Sequence, residues 1–179
     1  MPPVPSGGEE VVFAAQSLVP PERAQREAIL ATLAELPEPL RPVVKIRALD
    51  AERQAHNEAL PYAALWAEMT QHRPIEFRAG SMAAALAGAA GFVTVSSTAV
   101  LEALAAGVPA LVLDEFGVSG ELINAVFADS GLLGGLDRLR SGDFASPRPE
   151  WLADNYFHPV AENDWIARIT ELAVRRRTG

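Results

Sequence analysis

The chain has 179 residues, no cysteine and a formal net charge of −8, with 49% hydrophobic and 21% charged residues. At this length folding buries roughly 70% of the unfolded chain's surface, so no disulfide or structural zinc is needed, and the acidic balance argues against nucleic acid as a partner. The longest apolar stretch, Met82 to Val95, is broken by glycines and falls short of the ~20 residues of a bilayer span; with no signal peptide either, the expected location is the cytoplasm.

Residues 1–9 are rich in Pro, Gly and acid and read as a flexible leader or linker; residues 10–179 read as one domain with a C-terminal helix. Glu10 to Gln16 is an apolar run of strand length, stopped by Ser17 and Pro20-Pro21. Ala24, Ala28, Leu30, Leu33 and Leu36 then recur at helical spacing, with Pro21 suited to the start and Pro37 to the end. Val43 to Ala48 is a second strand. Asp50 opens a helix through His56 that restarts at Pro61 and reaches Met69.

Pro74 to Arg78 is a third strand, Ser81 to Ala90 an Ala-rich helix ended by Gly91, and Phe92 to Val95 a fourth strand. Thr98 to Ala106 is a helix and Pro109 to Asp114 a fifth strand. Glu121 to Asp129 looks helical, Ser141 to Pro149 is a loop, and Glu162 to Arg175 is a terminal helix with Trp165, Ile166, Ile169 and Leu172 on one stripe. Strand and helix alternate at least four times. That pattern predicts a doubly wound, Rossmann-like α/β fold: a parallel sheet with helices on both faces.

Ligands of such sheets bind beyond the carboxyl ends of the strands. There, Ser96-Ser97-Thr98 follows strand four and opens a helix, where hydroxyls cap the first turn or face a phosphate. Glu102 lies one turn after Thr98 on the same helix face, a carboxylate placed to accept from two ribose hydroxyls. Gly107 and Pro109 end the helix and extend the chain into strand five. Lys45, the one lysine, alternates with Arg47 on strand two, and two cations on one face suit a diphosphate or an acidic sugar as well as solvent or Asp50 and Glu52. Asp114-Glu115 ends strand five, and Gly117 to Gly120 with Ser119 is a loop able to close on a sugar or phosphate, or simply a polar turn. His56, His72 and His158 have no companions at metal-ligand spacing, so no metal is expected.

Ser96 to Val112 (SSTAVLEALAAGVPALV) resembles the donor-nucleotide signature in the C-terminal half of GT-B glycosyltransferases, nearest the capsule polysaccharide, polysialic acid and CDP-glycerol groups. It is also similar to non-hydrolysing UDP-N-acetylglucosamine 2-epimerases. The resemblance implies that Ser96, Ser97 and Thr98 hold the donor phosphates and Glu102 the ribose, with a nucleotide sugar as substrate and no cofactor. Relatives commonly carry a His-Pro pair after the second strand, where this chain has Lys45-Ile46-Arg47-Ala48. GT-B enzymes work in a cleft between two such domains, so the resemblance predicts one half of that architecture. The acceptor domain would lie upstream in a longer protein or on a separate partner, and the isolated domain would be inactive. The alternatives are a 2-epimerase-like domain and a non-catalytic interaction module that keeps the helix cap for structural reasons.

Overall fold

Six short strands pair in parallel throughout: β1 (Glu10–Ala14), β2 (Arg41–Lys45), β3 (Glu76–Arg78), β4 (Ala89–Thr94), β5 (Ala110–Leu113) and β6 (Leu133–Gly134), in the order β3-β2-β1-β4-β5-β6. The computed structural model describes residues 8–46, 60–70, 73–120, 122, 124–155, 157 and 163–177. The expectations for the first seven residues, Arg47, the Asp50–His56 helix, His72, Glu121 and His158 lie outside these.

The central strands read as unbroken apolar runs because both of their faces are covered. Val11, Phe13, Val44, Val93, Val95, Leu111 and Leu113 point to one face, where they form a buried cluster with Ile29, Leu30, Leu33 and Leu36 from α1 (Arg23–Ala34) and its end, Tyr62 and Leu65 of α2 (Tyr62–Glu68), and Leu139 of α5 (Leu136–Ser141). The alternate residues, Val12, Val43, Phe92, Ala110 and Val112, are buried on the other face. There α3 (Met82–Leu86) and α4 (Ala99–Ala105) pack on each other and on β4. The predicted doubly wound fold is thus present, in the strand order of dinucleotide-binding sheets.

One charged tie spans the sheet's edge. Arg78 of β3 reaches Glu10 of β1 with two nitrogens at 2.8 and 2.9 Å, and also bonds Glu76 at 2.7 Å. The Arg78 bonds hold the Glu10 carboxyl below its ordinary value, and Glu10 in turn raises the arginine.

Three expectations needed correction. The Ala-rich helix ends at Leu86, not Ala90, because Gly88 takes φ +78° and turns the chain, so Ala89 to Gly91 are the first residues of β4. Gly91 is a strand residue with the Phe144 ring over it; a Cβ there would meet ring atoms at 2.4 Å. Among the described residues of the expected Glu121–Asp129 helix, the helical geometry is a 3₁₀ turn at Ala125–Phe127. Buried Asn124 ties the preceding loop to itself, and Asp129 leaves helical geometry with φ 62°. Finally, β6, α5 and α6 (Pro149–Asp154) had no counterpart in the sequence reading, being two to six residues long and too short for periodicity to register.

The chain divides into two compact units, Met1–Pro147 and Arg148–Gly179. The second contains α6 and α7 (Trp165–Arg177). Ion pairs at i,i+4, Asp164 with Arg168 and Glu171 with Arg175, brace α7, while Trp165, Ile166, Ile169 and Val174 are exposed on it. Among the described residues no helix is long and apolar enough to cross a membrane.

Candidate functional site

The chain leaves β1 for α1 on one face and leaves the adjacent β4 for α4 on the other, so the crevice between their carboxyl ends is the topological switch point. Two residues meet across it. Ser96 N–H donates to Gln16 Oε1 at 2.8 Å, and Gln16 Nε2 donates to the Ser96 carbonyl. The glutamine side chain acts as one more rung of the β1–β4 ladder beyond the point where the backbones part.

Ser96 is 7% exposed, and its backbone is taken up by Gln16. Ser97 Oγ accepts the Ala99 N–H at 3.2 Å, so the first turn of α4 is braced by Ser97. Thr98 does not cap: it sits at the N-cap with helical φ −63° and ψ −13° and no side-chain capping bond. Thr98 is exposed. The N–H groups of Ser97 and Thr98 have no acceptor among the described residues. Glu102 follows one turn later, exposed on α4. The helix stops as its sequence predicts: Gly107 takes φ +74°, and the bonds from Val108 N–H to the Ala103 carbonyl (2.9 Å) and Gly107 N–H to the Leu104 carbonyl (3.0 Å) close a Schellman turn.

Lys45 ends β2 on the same edge of the sheet. It is no solvent-facing edge charge: the residue is 8% exposed, and among the described residues its Nζ bonds only the Ile46 carbonyl, at 2.7 Å. Burial pulls the ammonium below its ordinary value.

The loop after β5 is braced internally. Ser119 N–H donates to Asn124 Oδ1 at 2.9 Å, Ser119 Oγ accepts the Leu122 N–H at 3.1 Å, and Asn124 Nδ2 donates to the Gly117 carbonyl at 2.9 Å. Glu115 is likewise occupied, its Oε2 accepting the Leu136 N–H at the start of α5 at 3.2 Å. Ser96, Ser97 and Thr98 thus follow the carboxyl end of β4, with Glu102 one turn along α4, and Lys45 ends β2 on the far side of β1, while Ser119 serves its own loop.

Three residues of this edge were not picked out from the sequence: Gln16, Thr94 and Arg26. Arg26 on α1 is 2% exposed and donates to the carbonyls of Ser17 and Pro20 in the β1–α1 loop (2.7 and 2.8 Å) and of Leu60 ahead of α2 (2.7 Å). Its guanidinium also lies 4.9 Å from the Tyr62 ring centre. The available signal for Arg26 was its position among the apolar residues of α1. For Thr94 it was a hydroxyl inside an apolar strand; for Gln16, whose partner is 80 residues away, there was none. At the opposite, amino edge a groove of about 440 Å³ lies between Glu10, Arg41, Arg73 and Glu76. Its arginines are engaged, Arg41 with Glu9 and Arg73 with Glu38 and the Leu36 and Leu40 carbonyls.

Comparison with known proteins bears on what this edge belongs to. No curated protein matches the chain. Among solved structures it is similar to the glycotransferase of kitacinnamycin, at 20% identity and a TM-score of 0.42 over 75% of this chain and 34% of that one. The chain thus spans about a third of that protein's length. A family described as "Putative glycosyltransferase (DUF6716)" matches residues 2–172, nearly the whole sequence, and the chain belongs to that family.

Proposed function

We propose that this chain is the donor-binding domain of a metal-independent, GT-B-type glycosyltransferase, and that it takes a nucleotide-activated sugar at the carboxyl edge of β1, β2 and β4. The observation that carries the reading is the Ser96–Thr98 turn at the switch point, with two adjacent N–H groups lacking acceptors among the described residues. Those amides and the Ser96 and Thr98 hydroxyls suit phosphate oxygens. Glu102, one turn along α4, suits the ribose hydroxyls, and Lys45 and Arg47 the diphosphate charge that grows as the sugar departs. Membership of a glycosyltransferase-named family supports the same class. The acceptor and the residue that activates it belong to a second domain, in cis or in trans, so this chain alone should show no steady transferase turnover.

Calorimetric titration of UDP, CDP, uridine and cytidine tests the reading. Glu102→Ala should weaken nucleotide and nucleoside alike, by about 1–3 kcal/mol. Lys45→Ala should weaken the diphosphates much more than the nucleosides. Wild-type protein that binds no nucleotide at millimolar concentration would overturn the proposal. A non-catalytic interaction module is the second reading, and the internal use of the Ser119 and Glu115 side chains favours it. Such a module would bind no nucleotide.

A further inference from the structure

Every described side chain of α7 is exposed, including Trp165, Ile166 and Ile169 at 57–63%. Successive helix residues turn by about 100°, so these three fall in one stripe, which the sequence continues with Leu172. A helix of 13 residues is marginal in water by itself, and one whose apolar stripe stays wet gains nothing from packing. The stripe calls for a cover.

The charges beside it indicate which cover fits. Asp164, Arg168, Glu171 and Arg175 follow one another at i,i+4 and i,i+3 steps, which sets them along one flank of the stripe in the order minus, plus, minus, plus. Within the chain the first two pair at 2.6 Å and so do the last two. Turned end for end, the row reads plus, minus, plus, minus. A second copy of α7 laid antiparallel, about a two-fold axis between Ile169 and Thr170, therefore brings its Arg175 level with Asp164 and its Glu171 level with Arg168. A two-fold contact of this kind also puts the same flank of both copies together. The parallel arrangement instead gathers Arg175 to Arg177 of both copies at one end, with the helix dipoles aligned, and both effects are repulsive. We propose that α7 is a self-association surface, pairing antiparallel with α7 of a second copy of this chain, with Ile169 beside the axis. A helix of this length spans about 20 Å, so the pair buries less than the ~1,200 Å² at which standard interfaces begin, and the dimer is a weak one.

Sedimentation equilibrium of the full chain from about 1 μM to about 1 mM, with thermal unfolding of each variant, tests the contact. Wild type should pass from monomer to dimer over that range. Ile169→Lys sets two ammonium groups beside the axis and should raise the dissociation constant about tenfold or more. It should leave the melting temperature of the dilute protein unchanged, since the side chain is exposed in the monomer. Arg168→Glu and Glu171→Arg should each weaken association, and an equimolar mixture of the two should recover it, because each then meets its opposite in the other copy. The chain has no cysteine, so introduced ones report direction: on oxidation Ile169→Cys should cross-link, whereas Trp165→Cys, about 13 Å from its mate along the antiparallel pair, should not. A chain that stays monomeric at the highest concentration, a dimer indifferent to Ile169→Lys, or Trp165→Cys cross-linking as readily as Ile169→Cys would overturn the proposal. The first of these would leave the stripe to a different protein, such as the second domain. Should Ile169→Lys fail to fold, Arg168→Glu carries the comparison, Arg168 being 75% exposed.

Discussion

Gln16 holds both backbone groups of Ser96, accepting its N–H at 2.8 Å and donating to its carbonyl, across the crevice where β1 and β4 diverge. A side chain thereby does the work of a strand. Removing it leaves a largely buried N–H and C=O without partners. Gln16→Ala should cost about 1–3 kcal/mol in urea unfolding. Gln16→Glu should be less harmful near pH 4, where a protonated carboxyl can still donate, than at pH 7. Equal losses at both pH values would refute the clasp.

Arg26 organises the same edge from below. Three carbonyls from two loops depend on one guanidinium that is 2% exposed. Arg26→Met keeps much of the volume but orphans those carbonyls, and about 3 kcal/mol or more should be lost. Guanidinium chloride unfolding of the two proteins measures it, and a loss below 1 kcal/mol would show the loops to be held by other means.

Gly91 is required by its neighbour rather than by its backbone. Its position in β4 is open to any residue, but a Cβ would meet the Phe144 ring at 2.4 Å. Gly91→Ala should therefore destabilise the protein by about 1–3 kcal/mol through overpacking. In the Phe144→Leu background the same substitution should cost less, and a double-mutant cycle of thermal unfolding reads the coupling.

The Glu10–Arg78 pair gives a pH signature. Because Arg78 holds the Glu10 carboxyl below its ordinary value of 4.5, the pair's contribution is complete above that pH and is lost as the pH falls through the lower folded value. At pH 7 Glu10→Gln should cost about 1 kcal/mol, modest because both side chains are near 30% exposed. The gap to wild type should close on acidification below pH 4, as measured by urea unfolding across the pH series. A gap that persists at pH 2 would place the effect outside the ion pair.

Local chemistry was enough to determine the parallel α/β class, five of the six strands, the Gly107 stop and the hydroxyl turn at the sheet's edge. Apolar runs, prolines and a C-terminal glycine act within a few residues of where they are read. Tertiary structure alone decided where the Ala-rich segment ends, since pairing of Ala89 and Gly91 with β1 outweighs alanine's helical preference once Gly88 turns the chain. It also decided that Lys45 is buried and that Gln16 meets Ser96. Each is a contact between strands far apart in the chain, set by sheet register, and no periodicity within one segment records the register of another.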